Sequence, residues 1–154
     1  MNIKIKKLIP EAIIPAYAKQ GDAGMDLTAT SVKTVEDLYY EYGTGLAIEI
    51  PFGYVGLIFP RSSISNTDLT LANCIGVVDS IYRGELKLRF KISAEYATYL
   101  EEIEGREVRD GIYYNIGDRI GQLIILPYPQ INFIQVDELS STERGDAGFG
   151  STNK

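Results

Sequence analysis

An all-β fold is what this sequence predicts, and three observations carry that expectation. Apolar residues alternate with polar ones in short runs at Ile3/Ile5, Leu46/Ile48/Ile50, Val55/Leu57/Phe59, Leu86/Leu88/Phe90/Ile92, Leu123/Ile125 and Ile131/Phe133, the period of a pleated strand. Turn-forming clusters separate the runs: Gly43-Thr44-Gly45, Pro51-Phe52-Gly53, Gly117-Asp118 and Pro127-Tyr128-Pro129. Helical periodicity is confined to one stretch, so a sandwich, barrel or jelly roll suits the chain.

Taken in order, Met1 to Lys7 alternates apolar and basic residues before Pro10 and predicts a first strand; it has neither the continuous apolar stretch nor the small-residue cleavage site of a signal peptide. Pro60 ends the third run, and a short helical turn is predicted near Ser62. The segment Asn73-Cys-Ile-Gly-Val-Val-Asp-Ser-Ile-Tyr-Arg-Gly-Glu85, between Leu69/Leu71 and Leu86/Leu88, predicts a hairpin whose turn displays polar groups, with Cys74 a buried strand residue beside it. Ser93 could cap a helix on which Tyr96, Tyr99, Leu100 and Ile103 form one stripe, ended by Gly105. Residues 1–139 read as one β domain and residues 140–154, rich in Ser, Thr and Gly, as a flexible C-terminal tail.

Composition narrows the chemistry. With 154 residues the chain is about one domain long, and with 45% hydrophobic and 23% charged residues it can bury a core without staples. No apolar run approaches the roughly 18 residues that a membrane helix needs, so no membrane role is expected. A single cysteine excludes an internal disulfide, and the absence of histidine excludes the usual zinc clusters and histidine-dependent triads. A free thiol suggests a reducing compartment, and the expected location is the cytoplasm, of a host cell if the gene is viral. The net charge of −6 with scattered basic residues leaves no broad face for a nucleic-acid backbone. What remains is carboxylate, hydroxyl, arginine and backbone chemistry.

Five clusters could use it. In Asp22-Ala-Gly-Met-Asp26-Leu27, Asp26 read alone is a solvated strand end, a turn former or a catalytic acid. Phe59-Pro-Arg61-Ser62-Ser63-Ile64-Ser65 sets a guanidinium and hydroxyls where a helical turn starts, which makes either a local anion site or an N-cap by Ser62 or Ser63. In the hairpin, Asp79 and Tyr82 are a turn former and a sheet aromatic, or a carboxylate base beside a ring that packs on a sugar, with Gly76 and Gly84 as punctuation. Gly117-Asp-Arg119-Ile-Gly-Gln122-Leu123 is a turn leading into a strand. Arg144-Gly-Asp-Ala-Gly-Phe149-Gly150-Ser151-Thr152 could wrap a phosphate with backbone N–H groups, although it is no Walker loop.

In order and spacing, from about Ala23 to Thr152, these clusters resemble the five motifs of the homotrimeric dUTPase family. The resemblance implies a jelly-roll-like β-clip subunit and hydrolysis of dUTP to dUMP and pyrophosphate, which limits uracil in DNA and supplies dUMP for thymidylate synthesis. It implies that Asp79 activates the water attacking the α-phosphorus, and that Asn73 and the main chain of the Gly76–Val78 edge read uracil. Tyr82 would pack under the deoxyribose, Arg61, Ser62, Ser63, Gln122 and Arg144 would hold phosphates, and Asp26 and Arg119 would support the site. Phe149 would stack on the base while Gly150, Ser151 and Thr152 close over the β- and γ-phosphates. Mg2+ would be carried by the triphosphate, with no protein metal ligands, and each site would be shared among three chains. Ala147 stands where many members have glycine, and no glycine follows Thr152. The alternatives are a dCTP deaminase or bifunctional deaminase-diphosphatase of the same fold, against which the Phe149 tail and the Asp79-x-x-Tyr82 spacing argue, and a non-catalytic nucleotide-binding regulatory module.

Overall fold

Glycine and proline turns cut the chain into short extended pieces that pair antiparallel throughout. The computed structural model describes residues 1–36, 39–92 and 114–148. Among these, nine strands run β1 (Lys4–Lys7), β2 (Met25–Thr28), β3 (Ser31–Val35), β4 (Tyr39–Glu49), β5 (Tyr54–Phe59), β6 (Leu69–Leu71), β7 (Gly76–Val78), β8 (Glu85–Ile92) and β9 (Arg119–Pro127). One sheet has the order β1-β4-β8-β6, with β3 also on β4, and the other has the order β2-β9-β5-β7. The predicted all-β fold is therefore present, as two antiparallel sheets of a jelly-roll-like fold. The expected helix from Ser93 lies outside the described residues. Among the described residues no helix is long and apolar enough to cross a membrane.

The core lies between the sheets. Leu27, Ile58, Val78 and Leu123 from one face Tyr42, Leu86, Leu88 and Phe90 from the other, and each such buried side chain contributes about 1.5–3 kcal/mol. Gly56 and Gly121 let the sheets approach, because a Cβ there would meet Ile50 Cδ1 at 2.7 Å and Leu88 Cδ2 at 2.6 Å. In β5 the inward residues are thus Gly56 and Ile58, and the alternating Val55/Leu57/Phe59 set is turned outward and half-buried. Alternation located the strand but not its buried face, since both faces of β5 carry apolar residues.

Strand β4 is central, shared by β1, β3 and β8. Its pairing with β8 shifts between Gly43 and Ala47, where Gly45 takes φ 66°. Polar side chains satisfy the interrupted ladder: the Thr44 hydroxyl donates to the Leu86 carbonyl at 2.8 Å, and the Gly45 N–H donates to Glu85 Oε1 at 2.8 Å.

Two expectations fail. Ile131 and Phe133 lie outside any strand, 67% and 94% exposed, because β9 ends at Pro127 and, among the described residues, no strand pairs with the apolar residues beyond it. Cys74 is exposed and has φ 60°, because it falls in the turn between β6 and β7, where the Ile75 N–H donates to the Asn73 carbonyl at 2.6 Å.

Glu41, 5% exposed, is buried under the cations of β3 and β8. Arg89 Nε donates to it at 2.7 Å, and Lys87 Nζ and Lys33 Nζ each lie 3.2 Å away. Burial by itself would raise the Glu41 carboxyl, but hydrogen bonds from Arg89, Lys87 and Lys33 outweigh it and hold the pKa at about 2. A glutamate lowered from about 4.5 contributes stability that is complete above that pH and lost as pH falls towards about 2. We expect acid unfolding in that window to weaken the fold by on the order of 2 kcal/mol through Glu41. Glu41→Gln should flatten the stability profile there in urea titrations at stepped pH.

Candidate active site

Most of the candidate residues collect at two separate corners of the β2-β9-β5-β7 sheet. At the first corner β2 and β9 pair with Asp26 opposite Gln122, and β5 and β9 pair with Phe59 opposite Gln122, so Pro60 delivers Arg61 beside them. Asp26 joins the group electrostatically. Its Oδ1 accepts from Arg61 Nε at 2.9 Å and its Oδ2 from Arg119 Nη1 at 3.0 Å, so one carboxylate orients both guanidinium groups. Arg61 Nη1 also donates to Ser63 Oγ at 3.3 Å. Asp26 is thus an ion-pair partner of two arginines.

Local structure explains the aim of these side chains. The predicted helical turn is a 3₁₀ turn, Ser62–Asn66, preceded by Arg61 in extended conformation. No side chain caps it, so of the two readings of this cluster the cap by Ser62 or Ser63 is not formed: Ser62 is exposed and Ser63 turns to Arg61. Arg119 follows a turn in which Gly117 has φ 96° and Asp118 Oδ2 accepts from the Asn115 N–H at 2.6 Å. Gly24 has a function that its sequence context did not reveal. The Gln122 side chain lies across it, and a Cβ at Gly24 would meet Gln122 Cβ and Oε1 at 3.2 Å.

At the second corner, β7 and the following turn frame a cleft of about 190 Å³ lined by Asn73, Gly76, Val78, Asp79 and Tyr82. It borders a larger groove of about 630 Å³ that shares Asn73, Gly76 and Tyr82 and runs on to Glu41 and Arg89. Among the described residues strand β7 pairs only with β5, and none of them pairs with its other edge. The turn is closed by the Tyr82 N–H donating to the Asp79 carbonyl at 3.0 Å, and Asp79 itself is exposed. The Tyr82 hydroxyl donates to the Glu85 carbonyl at 2.9 Å. Its ring lies so close over Gly84 that any Cβ there would collide with it. Gly84 is therefore a seat for the ring, and the expected hairpin is not a simple one: β6 pairs with β8, while β7 between them crosses to β5 in the other sheet.

The corners do not meet. Asp79 lies beside Tyr54 and Val55, whereas Gln122 is level with Phe59, so about 13 Å of strand separates them lengthwise. Strands β7 and β2 are opposite edges of the sheet, a further three strand spacings, or about 14 Å, from Asp79 to Asp26. Arg144 stands apart from both corners: it is exposed, and its Nε donates to the Ala147 carbonyl at 3.0 Å. Phe149, Gly150, Ser151 and Thr152 lie outside the described residues.

Behind the first corner sits Tyr114, which sequence reading did not single out. It packs edge-on against Tyr42 and tilted against Phe90, with centroids 6.1 and 5.4 Å away. Burial raises its phenol above the ordinary tyrosine value, against the pull of the Ser63 hydroxyl and the Arg61 charge. Burial likewise pushes the Tyr42 phenol up to about 12.

Comparison with known proteins bears directly on this arrangement. The dUTPase family model matches residues 10–103 and 107–153. A deoxyuridine 5'-triphosphate nucleotidohydrolase of Nautilia profundicola is 41% identical over the whole of both chains. One of Corynebacterium glutamicum is 38% identical over 99% of this chain and 95% of its own. Among solved structures, a mutant dUTPase of Staphylococcus bacteriophage 80alpha with dUpNHpp superposes with a TM-score of 0.81 at 30% identity, covering 99% of each chain. A mutant dUTPase from phage phi11 of S. aureus, studied for the coordination of a structural Mg(II) ion, superposes with a TM-score of 0.72 at 27% identity, covering 90% of this chain and 98% of that one.

The Asp26 bridge is testable on its own. Asp26→Ala leaves two guanidinium groups facing one another without their shared counterion, and the melting temperature should fall by roughly 3–8 °C. Adding Arg119→Ala should recover part of that loss in differential scanning calorimetry, because it removes the like-charge contact.

Proposed function

This chain belongs to the dUTPase family, and we propose from its geometry how it hydrolyses dUTP to dUMP and pyrophosphate. As a dUTP diphosphatase it must bring a base, a sugar and a triphosphate to one place. The cleft at β7 supplies the nucleoside side: Asn73 and the main-chain edge of Gly76 and Val78 read uracil, and Tyr82, seated on Gly84, packs under the deoxyribose. Asp79, at the end of that edge, takes a proton from water as the water oxygen attacks the α-phosphorus and the bond to the bridging oxygen of pyrophosphate breaks. The far corner supplies the phosphate side through Arg61, Ser62, Ser63 and Gln122, with Asp26 and Arg119 as supports. Because charge builds on oxygens already negative, most of the rate comes from holding those oxygens with fixed donors.

One observation carries this reading further. Asp79 and the arginine corner are separated by about 13 Å along the sheet and about 14 Å across it, too far for a base to reach water at a phosphorus held by Arg61 of the same chain. Each active site therefore joins the Asp79 corner of one copy to the Arg61 corner of another. The outward apolar row of Val55, Leu57, Ile124, Leu126 and Val77, the last 64% exposed, gives copies a surface on which to meet, and the exposed residues from Ile131 to Leu139 add to it. A closed homotrimer suits this, with residues 140–154 folding over the site so that Arg144, Gly150, Ser151 and Thr152 reach the phosphates and Phe149 the base.

Magnesium fits the donor set as part of the substrate. Among the described residues no three acidic or cysteine side chains converge, and both oxygens of Asp26 are committed to arginines. Carried by the triphosphate, the ion would supply charge neutralisation on the phosphate oxygens. A cytoplasmic location accords with the free thiol at Cys74.

Asp79→Asn should bind a non-hydrolysable dUTP analogue as the parent does yet release pyrophosphate about 10²–10⁴ times more slowly; unaltered turnover would remove Asp79 from the base role. Complementation tests the shared site. Asp79→Asn and Arg61→Ala chains, each inactive alone, should regain about a quarter of parental activity when refolded together in equal amounts, since a quarter of random pairings join two intact corners. A mixture as inactive as its components would show that each site is built within one chain.

A further inference from the structure

Arg83, the residue after Tyr82, is bonded to the turn that presents Asp79 and Tyr82 and yet lies outside the cavities that the turn borders. Its Nη1 donates to the Ser80 carbonyl at 2.7 Å and to the Tyr82 carbonyl at 2.8 Å, both short bonds from a charged donor. Arg83 borders a groove of about 390 Å³ with Lys4, Lys6 and Glu49 of β1 and β4. It lines neither of the two cavities that meet at Asn73, Gly76 and Tyr82. Its influence on the site therefore passes through the main chain.

Core packing does little to fix this turn. Ile81, between the two clamped carbonyls, is 85% exposed, and Tyr82 is 44% exposed, so hydrogen bonds must hold the stretch in place. The Tyr82 N–H donates to the Asp79 carbonyl at 3.0 Å, and the Tyr82 hydroxyl donates to the Glu85 carbonyl at 2.9 Å. Glu85 is itself anchored, because its Oε1 accepts from the Gly45 N–H of β4 at 2.8 Å. The hydroxyl end of the ring is thus tied to the sheet. The main-chain end is only as firm as the turn, and Arg83 is the brace across it.

A ring packed against a sugar tells deoxyribose from ribose by one oxygen atom, and a contact that yields by more than about 0.5 Å cannot refuse it. We propose that Arg83 is a positioning residue for sugar selectivity: by clamping the Ser80 and Tyr82 carbonyls it fixes the Tyr82 ring at a height that accepts deoxyribose and leaves no room for a 2′-hydroxyl. Without the clamp the ring recedes about its anchored hydroxyl and admits the larger sugar. Arg83 does this without touching substrate.

This inference rests on the dUTPase reading, and its test separates the two. Arg83→Met keeps the aliphatic stem and removes the donors. The ratio of kcat/KM for dUTP to that for UTP should fall about fivefold or more. The melting temperature should stay within about 3 °C of the parent's, because the side chain is exposed. Hydrogen exchange reads the clamp independently of activity: the Tyr82 amide should exchange about fivefold or more faster in Arg83→Met, with the amides of β8 unaffected. An unaltered substrate ratio, whether both substrates suffer equally from a missing countercharge or neither does, would overturn the role of Arg83. So would an unaltered Tyr82 exchange rate, and either result would leave dUTP hydrolysis intact. A parent protein that turns over UTP as readily as dUTP would overturn both.

Discussion

Strand β5 (Tyr54–Phe59), locked in register between β9 and β7, decides where each reactive group of this protein can be. Phe59 faces Gln122 and Ile58 faces Gly76, so the chain leaving β5 at Pro60 carries Arg61 to one end of the sheet. The turn leaving β7 carries Asp79 to the other. A slip of one residue would turn Gly56 and Ile58 away from the core and drive Leu57 and Phe59 into it. Gly56 and Gly121 reinforce that register, because only a residue without Cβ fits between the sheets at those points.

Two carboxylates are handled in opposite ways. Glu41 is buried and held ionised by Arg89, Lys87 and Lys33, so it stabilises the β3-β4-β8 face and has no need of a ligand. Asp26 is spent on two arginines, one at the start of β9 and one just past β5, and its work is to fix their direction. Asp79 is left with neither arrangement: it is exposed at the rim of a cleft, where a water and a phosphate can reach it. The division of labour among like residues follows from where the strands end.

Much of this was legible in the order of residues, because strands and turns are governed by neighbours two to four positions apart. Alternation at Leu86, Leu88 and Phe90 marks β8 and its buried face correctly, and Pro60 marks the end of β5. The five clusters indicated the reaction through their resemblance to a family. Alternation misled where an apolar residue answers to something other than this chain's own core. Val55, Leu57 and Phe59 face outward, and Ile131 and Phe133 pair with no strand among the described residues.

By itself, then, the sequence determined the strand pattern, the chemistry open to a chain without histidine, and, through resemblance to a family, the acid, arginines and hydroxyls that we propose for the site. Only the tertiary structure decided their company. It put Asp26 between Arg61 and Arg119, laid Tyr82 on Gly84, packed Tyr114 against Tyr42 and Phe90, and set Asp79 at the opposite corner of the sheet. The physical reason is range. Local patterning is set by short stretches of chain, whereas these contacts join residues tens of positions apart through strand register, which no short stretch of sequence encodes.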